Sequence, residues 1–161
     1  MPSDISNAIT SEQWERVVQI CQTSSSAAKS WTTRHGLFEG IKDANVLPIH
    51  EALVAGAPFP SVEALLFAYP DAVYCKESSY QRLPLHCACR KNAQIDVVDL
   101  LLTKYADAAL TADSLGRLPC KSCGMAFDVC RYCPPFVLIL TLDVLLCSTL
   151  RVVKWRQRSS H

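Results

Sequence analysis

The sequence predicts an all-α chain: a short α-solenoid of antiparallel helix pairs with a capping helix at its N-terminus. Three observations predict it. First, one pattern occurs twice, 36 residues apart and without a gap. Leu47-Pro48-Ile49-His50-Glu51-Ala52 corresponds to Leu83-Pro84-Leu85-His86-Cys87-Ala88, and Val62 to Ala72 corresponds to Val98 to Ala108. A period of that size marks stacked supersecondary repeats. Second, Pro48 and Pro84 suit the first turn of a helix, where φ is already set and no backbone donor is required. Third, Val62, Leu65, Leu66 and Tyr69 are spaced as one face of a helix, and Val98, Leu101, Leu102 and Tyr105 repeat the stripe.

The elements follow in chain order. Trp14 to Cys21 carries the apolar pattern of a second helix, and Thr10 with Gln13 fits a capping box. A capping helix is therefore expected over residues 10–22, inside an N-terminal half repeat and loop spanning 10–45. Ala27-Ala28 stands where the later copies carry Asp-Ala. His35 to Asn45, polar and glycine-containing, reads as a loop. The first full repeat covers 46–81. Ala52 lies one turn beyond Pro48 on the same face, small enough for a neighbouring helix to approach. Leu53 to Pro60 reads as the turn, Ser61 as the next N-cap, Glu63 as favouring the dipole, and Pro70 as the stop. The second repeat covers 82–116, with Ala88 in the place of Ala52, a turn at Arg90 to Gln94, Asp96 as N-cap and Asp99 in the first turn. A third copy begins at Arg117-Leu118-Pro119 and fails at Cys120, which leaves a degenerate cysteine-rich stretch over 117–133.

Residues 46–119 resemble the ankyrin repeat. Pro48, Ile49, His50 and Ala52, and again Pro84, Leu85, His86 and Ala88, match that family's Thr-Pro-Leu-His-x-Ala block. Val62, Leu65 and Leu66, and Val98, Leu101 and Leu102, match its Val-x-x-Leu-Leu block. Leu47 and Leu83 replace the family's Thr, and Tyr-x-Asp-Ala at Tyr69 and Tyr105 replaces its Gly-Ala-Asp exit, so the resemblance is to a divergent variant. It implies structural roles for Pro48, His50, Ala52, Pro84, His86 and Ala88, with each His hydrogen-bonded between neighbouring repeats. Asp71 and Asp107 recur as well and suit the exit turn.

Composition narrows the function. Net charge is +1 over 161 residues, which offers no basic face for nucleic acid. No secretory leader pattern is visible at the N-terminus, so an intracellular, cytoplasmic setting is expected. No nucleophile elbow, phosphate loop or metal-protease motif is legible, and glycines number five. Chemistry-bearing residues that recur with a repeat period are expected to be structural. No enzyme and no cofactor are therefore expected.

Two features fall outside the repeat pattern. Cys120, Cys123, Cys130 and Cys133 form two C-x-x-C pairs that can clamp a structural zinc or sense redox state. The six residues between the pairs are short for such a site, and Cys120 and Cys123 also fall in the register of Leu85 and Ala88. Residues 134–161 are apolar and then basic. Phe136 to Leu150 is interrupted by Thr141, Asp143, Ser148 and Thr149, and Arg151, Lys154, Trp155, Arg156 and Arg158 follow. Fifteen helical residues span about 22 Å against a hydrocarbon core of ~30 Å. A helix capping the stack, a membrane tether over 136–153, and a segment that is no natural continuation of the repeats remain as alternatives.

The expected function is protein–protein interaction: a scaffold or adaptor binding another protein along the concave face of loops and first helices. By analogy with ankyrin-like proteins, the candidate contacts are Glu51, Arg90, Lys91 and Asn92, with Asp43, Asn45, Tyr80, Gln81 and Asp113 from the loops before the first helices. The sequence leaves the partner and the oligomeric state open.

Overall fold

The computed structural model describes residues 4–37 and 42–119. Within them the chain forms three helix pairs: α1 (Asp4–Thr10) with α2 (Trp14–Thr23), α4 (Pro48–Val54) with α5 (Phe59–Ala68), and α6 (Pro84–Arg90) with α7 (Ile95–Lys104). A short α3 (Ser25–Ala28) follows the first pair. The 3-10 turns Pro70–Tyr74 and Ala106–Leu110 occupy the same place after the second and third. First helices pack on first helices, α1 on α4 and α4 on α6. Second helices pack on second helices, α2 on α5 and α5 on α7.

The all-α prediction is corrected by a small sheet. Strands β1 (Thr32–His35) and β2 (Asp43–Val46) pair antiparallel, with Thr32 opposite Val46 and His35 opposite Asp43. The polar stretch read as a loop hides a period of two: Ala44 and Val46 are buried, Asp43 and Asn45 exposed. Four residues per strand are too few to stand out in a polar sequence. The fold is mostly helical, with seven α-helices and this hairpin among the described residues.

The single capping helix is corrected too. Residues 10–22 hold the end of α1, a turn, and most of α2. The Thr10 hydroxyl donates back to the Ser6 carbonyl, 2.8 Å away, and Gln13 makes no side-chain cap. Glu12 sits at φ +54. Its N–H bonds Ile9 O, and the Gln13 N–H bonds Ala8 O. That pair of bonds is a Schellman motif, which ends a helix with a left-handed residue. Gly56 (φ +79) and Asn92 (φ +51) repeat it, with Ala57 N–H on Ala52 O and Ala93 N–H on Ala88 O. Ala8, Ala52 and Ala88 are thus equivalent. All three are nearly or wholly buried where adjacent first helices meet.

Two N-cap expectations are shifted. Helix α5 starts at Phe59, which puts Ser61 inside it, 1% exposed. Helix α7 starts at Ile95 after Gln94, so Asp96 lies in its first turn. Phe59–Ala68 buries Val62, Leu65 and Leu66, and Ile95–Lys104 buries Val97, Val98 and Leu101. Each such side chain contributes about 1.5–3 kcal/mol of transfer free energy, so these rows dominate the core between pairs. Ring contacts continue the stacking at the ends of the second helices. Lys29 Nζ lies 5.5 Å from the Tyr69 ring centre, and Tyr74 packs on Tyr105 at 4.7 Å.

Candidate functional site

His50 and His86 occupy one recurring position near the start of α4 and α6. Both are fully buried. The Leu47 N–H donates to His50 Nδ1 at 3.3 Å, and the Leu83 N–H to His86 Nδ1 at 3.2 Å. An N–H can only donate, so each ring carries its proton on Nε2. From there His50 donates to the Cys75 carbonyl and His86 to the Arg117 carbonyl, both at 3.2 Å. Burial pushes His50 down to about 4, opposed by the Cys75 carbonyl bond and by the Glu77 and Glu51 charges. Burial lowers His86 as well, against its bond to Arg117 and the Asp113 charge. Each imidazole is a neutral strut to the chain segment that follows its helix pair.

Glu51 and Asp113, expected at a partner surface, are buried at 3% and 6% exposure. Glu51 is the anchor of the hairpin. It accepts from Arg34 Nε and Nη2, both at 3.0 Å, from Ser6 Oγ at 3.2 Å, and from Thr32 Oγ1. Its bond holds the Arg34 guanidinium above the ordinary arginine range. The chain between the first and second pairs is longer than that between the second and third. The added length is spent on β1 and β2, whose side chains Thr32 and Arg34 close over Glu51. Asp113 accepts the backbone N–H groups of Leu115 and Arg117 at 2.9 Å and pairs with Arg82 and Arg117. Burial opposes its charge. The two N–H bonds and the Arg117 guanidinium outweigh that and hold it below the usual carboxylate range.

Glu77 went unremarked in the sequence and is fully buried. It stands 36 residues before Asp113 and does the same work. It accepts the N–H groups of Ser79, Tyr80 and Arg82 and the Ser79 hydroxyl at 2.6–3.1 Å. Each carboxylate folds the loop before a first helix into a tight turn, closed by Glu77 N–H on Arg82 O and Asp113 N–H on Arg117 O. The turns link in a row. Ser78 N–H bonds Asn45 O on β2, and Ser114 N–H bonds Tyr80 O.

That row is the exposed feature nearest to the predicted surface. Asp43, Asn45 and Gln81 are exposed and Tyr80 is half-buried. Lys42 Nζ lies 5.5 Å and Arg82 Cζ 4.3 Å from the Tyr80 ring centre. Asp43 Oδ1 stands 2.6 Å from His35 Nδ1. These residues gather along one edge. Arg90, Lys91 and Asn92 do not join them, because they lie at the far end of α6, about 10 Å away along the helix at 1.5 Å per residue. Helices α4 and α6 are themselves closed. Every residue from Pro48 to Leu53 and from Pro84 to Cys89 is buried, so these two offer a partner little beyond half-buried Val54 and Arg90.

The buried thiols are held protonated, Cys21 by burial to about 11 and Cys87 by burial to about 12. Among the described residues no three His, Cys, Asp or Glu side chains are grouped to hold a metal ion. No helix among them is long and apolar enough to cross a membrane. Cys120, Cys123, Cys130 and Cys133, and the tether reading of 136–153, lie outside the described residues. No family model matches the chain, and comparisons with curated proteins and with solved structures returned no match.

Proposed function

We propose that this chain is a non-enzymatic, intracellular interaction scaffold built on divergent ankyrin-like repeats, and that it presents its row of loop turns to another protein. The observation that carries this reading is the commitment of its reactive groups. His50 and His86 recur, Glu77 and Asp113 recur, and each spends its hydrogen-bonding capacity on neighbouring backbone. Groups so engaged build a frame, and exposed side chains vary upon it. The surface that remains comprises His35, Asp43, Asn45, Ser78, Tyr80 and Gln81. Glu51 and Asp113 drop out of it because they are buried. Arg90, Lys91 and Asn92 form a second, separate cluster.

Affinity capture with the full chain tests the reading. An Asp43→Arg/Gln81→Glu double variant with unchanged thermal stability should lose a defined set of proteins that the native chain retains. An Arg90→Glu/Lys91→Glu variant should keep them. Identical retention by all three chains would remove the loop row as the binding surface.

A further inference from the structure

Helix α5 is apolar on nearly every side. Among its ten residues only Ser61 and Glu63 are polar, and Ser61 is buried. A helix of that kind is expected to be covered all round. The stack covers only part of it. An open groove of about 700 Å³ lies between α2 and α5, with Val18 and Cys21 on one wall, Ala64, Phe67 and Ala68 on the other, and Glu63 at the rim. Phe67 has 89% of its surface exposed, more than any other large apolar side chain described. The repeat does not require this face, because α7 carries Leu100, Thr103 and Lys104 where α5 carries Ala64, Phe67 and Ala68. Two small residues one helical turn apart, with a large ring beside them, set a hole and a knob on one surface.

We propose that this face pairs with the same face of a second copy of the chain. The two α5 helices run antiparallel about a two-fold axis, and the Phe67 ring of each enters the groove of the other. A two-fold contact needs a patch complementary to itself, and a knob beside a hole is such a patch. The register that sets Phe67 over Ala64 of the second copy also sets Glu63 over its Ala68. Charge agrees with that register. Tyr69 follows Ala68 at the end of α5, and Lys29 Nζ lies 5.5 Å from its ring centre. Glu63 and Lys29 are both exposed and mark opposite ends of the groove, about 9 Å apart along the helix. The antiparallel arrangement brings each Glu63 to the Lys29 of the other copy, whereas a parallel one would set like charges together. Such exposed pairs fix register and orientation more than they add affinity. Each copy contributes two ten-residue helices, a face of about 15 by 20 Å. That is small against the ~800 Å² each partner buries in a stable complex, so the dimer is weak and reversible. It uses none of the residues of the loop row.

Sedimentation velocity of the full chain tests this, and the native chain should pass from monomer to dimer between about 1 and 200 μM. Phe67→Ser removes the knob and should raise the dissociation constant at least about tenfold. Glu63→Lys and Lys29→Glu each set like charges at both ends of the contact and should weaken it at least about tenfold. Mixed in equal amounts, the two charge variants should pair again, because each then meets the opposite sign at both ends. All three side chains are exposed, so the helical signal should stay unchanged. A native chain that remains monomeric to about 200 μM overturns the proposal. A dimer that Phe67→Ser leaves intact overturns it equally, as does a mixture of the charge variants that stays monomeric.

Discussion

Arg34 Nη2 lies 3.0 Å from Glu51 Oε2, and this ion pair fastens the β1–β2 hairpin onto α4. Glu51 is the buried partner and Arg34 is partly exposed, so removing the acid takes an acceptor from Ser6 Oγ and Thr32 Oγ1 as well as from the guanidinium. Glu51→Ala is expected to cost about 3 kcal/mol of unfolding free energy. Urea titration measures it. A loss under about 0.5 kcal/mol would mean that water replaces the carboxylate without penalty.

Stability should fall as acid is added through the histidine range. His50 titrates near 4 in the folded chain and near 6.5 when unfolded. Between those values the unfolded chain takes up a proton that the folded one refuses. The contribution is complete above about 6.5 and is lost as pH falls toward 4, a change of roughly 3 kcal/mol. His86 shifts in the same direction. Denaturation midpoints at stepped pH values test this, with His50→Gln as control. A flat profile from pH 7 to pH 4.5 contradicts it.

Glu77→Ala removes the acceptor for three backbone N–H groups in one turn. The turn lies near solvent, so water recovers part of the loss, and a cost of roughly 2–3 kcal/mol is expected. Hydrogen exchange at Ser79, Tyr80 and Arg82 should accelerate first. Glu77→Gln keeps one acceptor oxygen and should fall between the two.

Glu12 adopts φ +54 at the end of α1. A left-handed conformation costs a residue with a Cβ about 1–2 kcal/mol, whereas glycine adopts it freely at some entropic cost. Glu12→Gly should therefore raise stability by about 0.5–1 kcal/mol, readable as a higher melting temperature. A lower one would show that the strain is already relieved locally.

Ala88→Asp places a carboxylate at a site with no exposure, where α6 meets α4. An uncompensated charge there should abolish the cooperative thermal transition. Retention of a sharp transition near the native midpoint would count against shared interiors between pairs.

The recurring residues were legible because their period was unbroken. Pro48 and Pro84, His50 and His86, and Ala52 and Ala88 keep one spacing, and the helices they start were placed from it. Helix α1 was missed for two reasons. The hairpin lengthens the spacing between α1 and α4. Ser6 and Asp4 also stand where the later copies carry His and Pro. The surviving signal was Ile5 and Ala8, matching Ile49 and Ala52 at one common offset. Glu77 and Asp113 stand in polar stretches, and Glu51 is the one charge in an apolar run, so in the sequence each reads as solvated. Only the fold brings Arg34 over Glu51 and turns the N–H groups of Ser79 and Tyr80 toward Glu77. The surface was likewise split by geometry: sequence neighbours of α6 lie at its two ends.

The two imidazole struts also set an order of events at the ribosome. The carbonyl that His50 needs is made 25 residues after it, and the one His86 needs 31 residues after it. At roughly 5–20 residues per second, each ring waits a few seconds with its Nε2 proton unclaimed. A nascent chain stalled before Arg117 would hold α6 ready and its lock open.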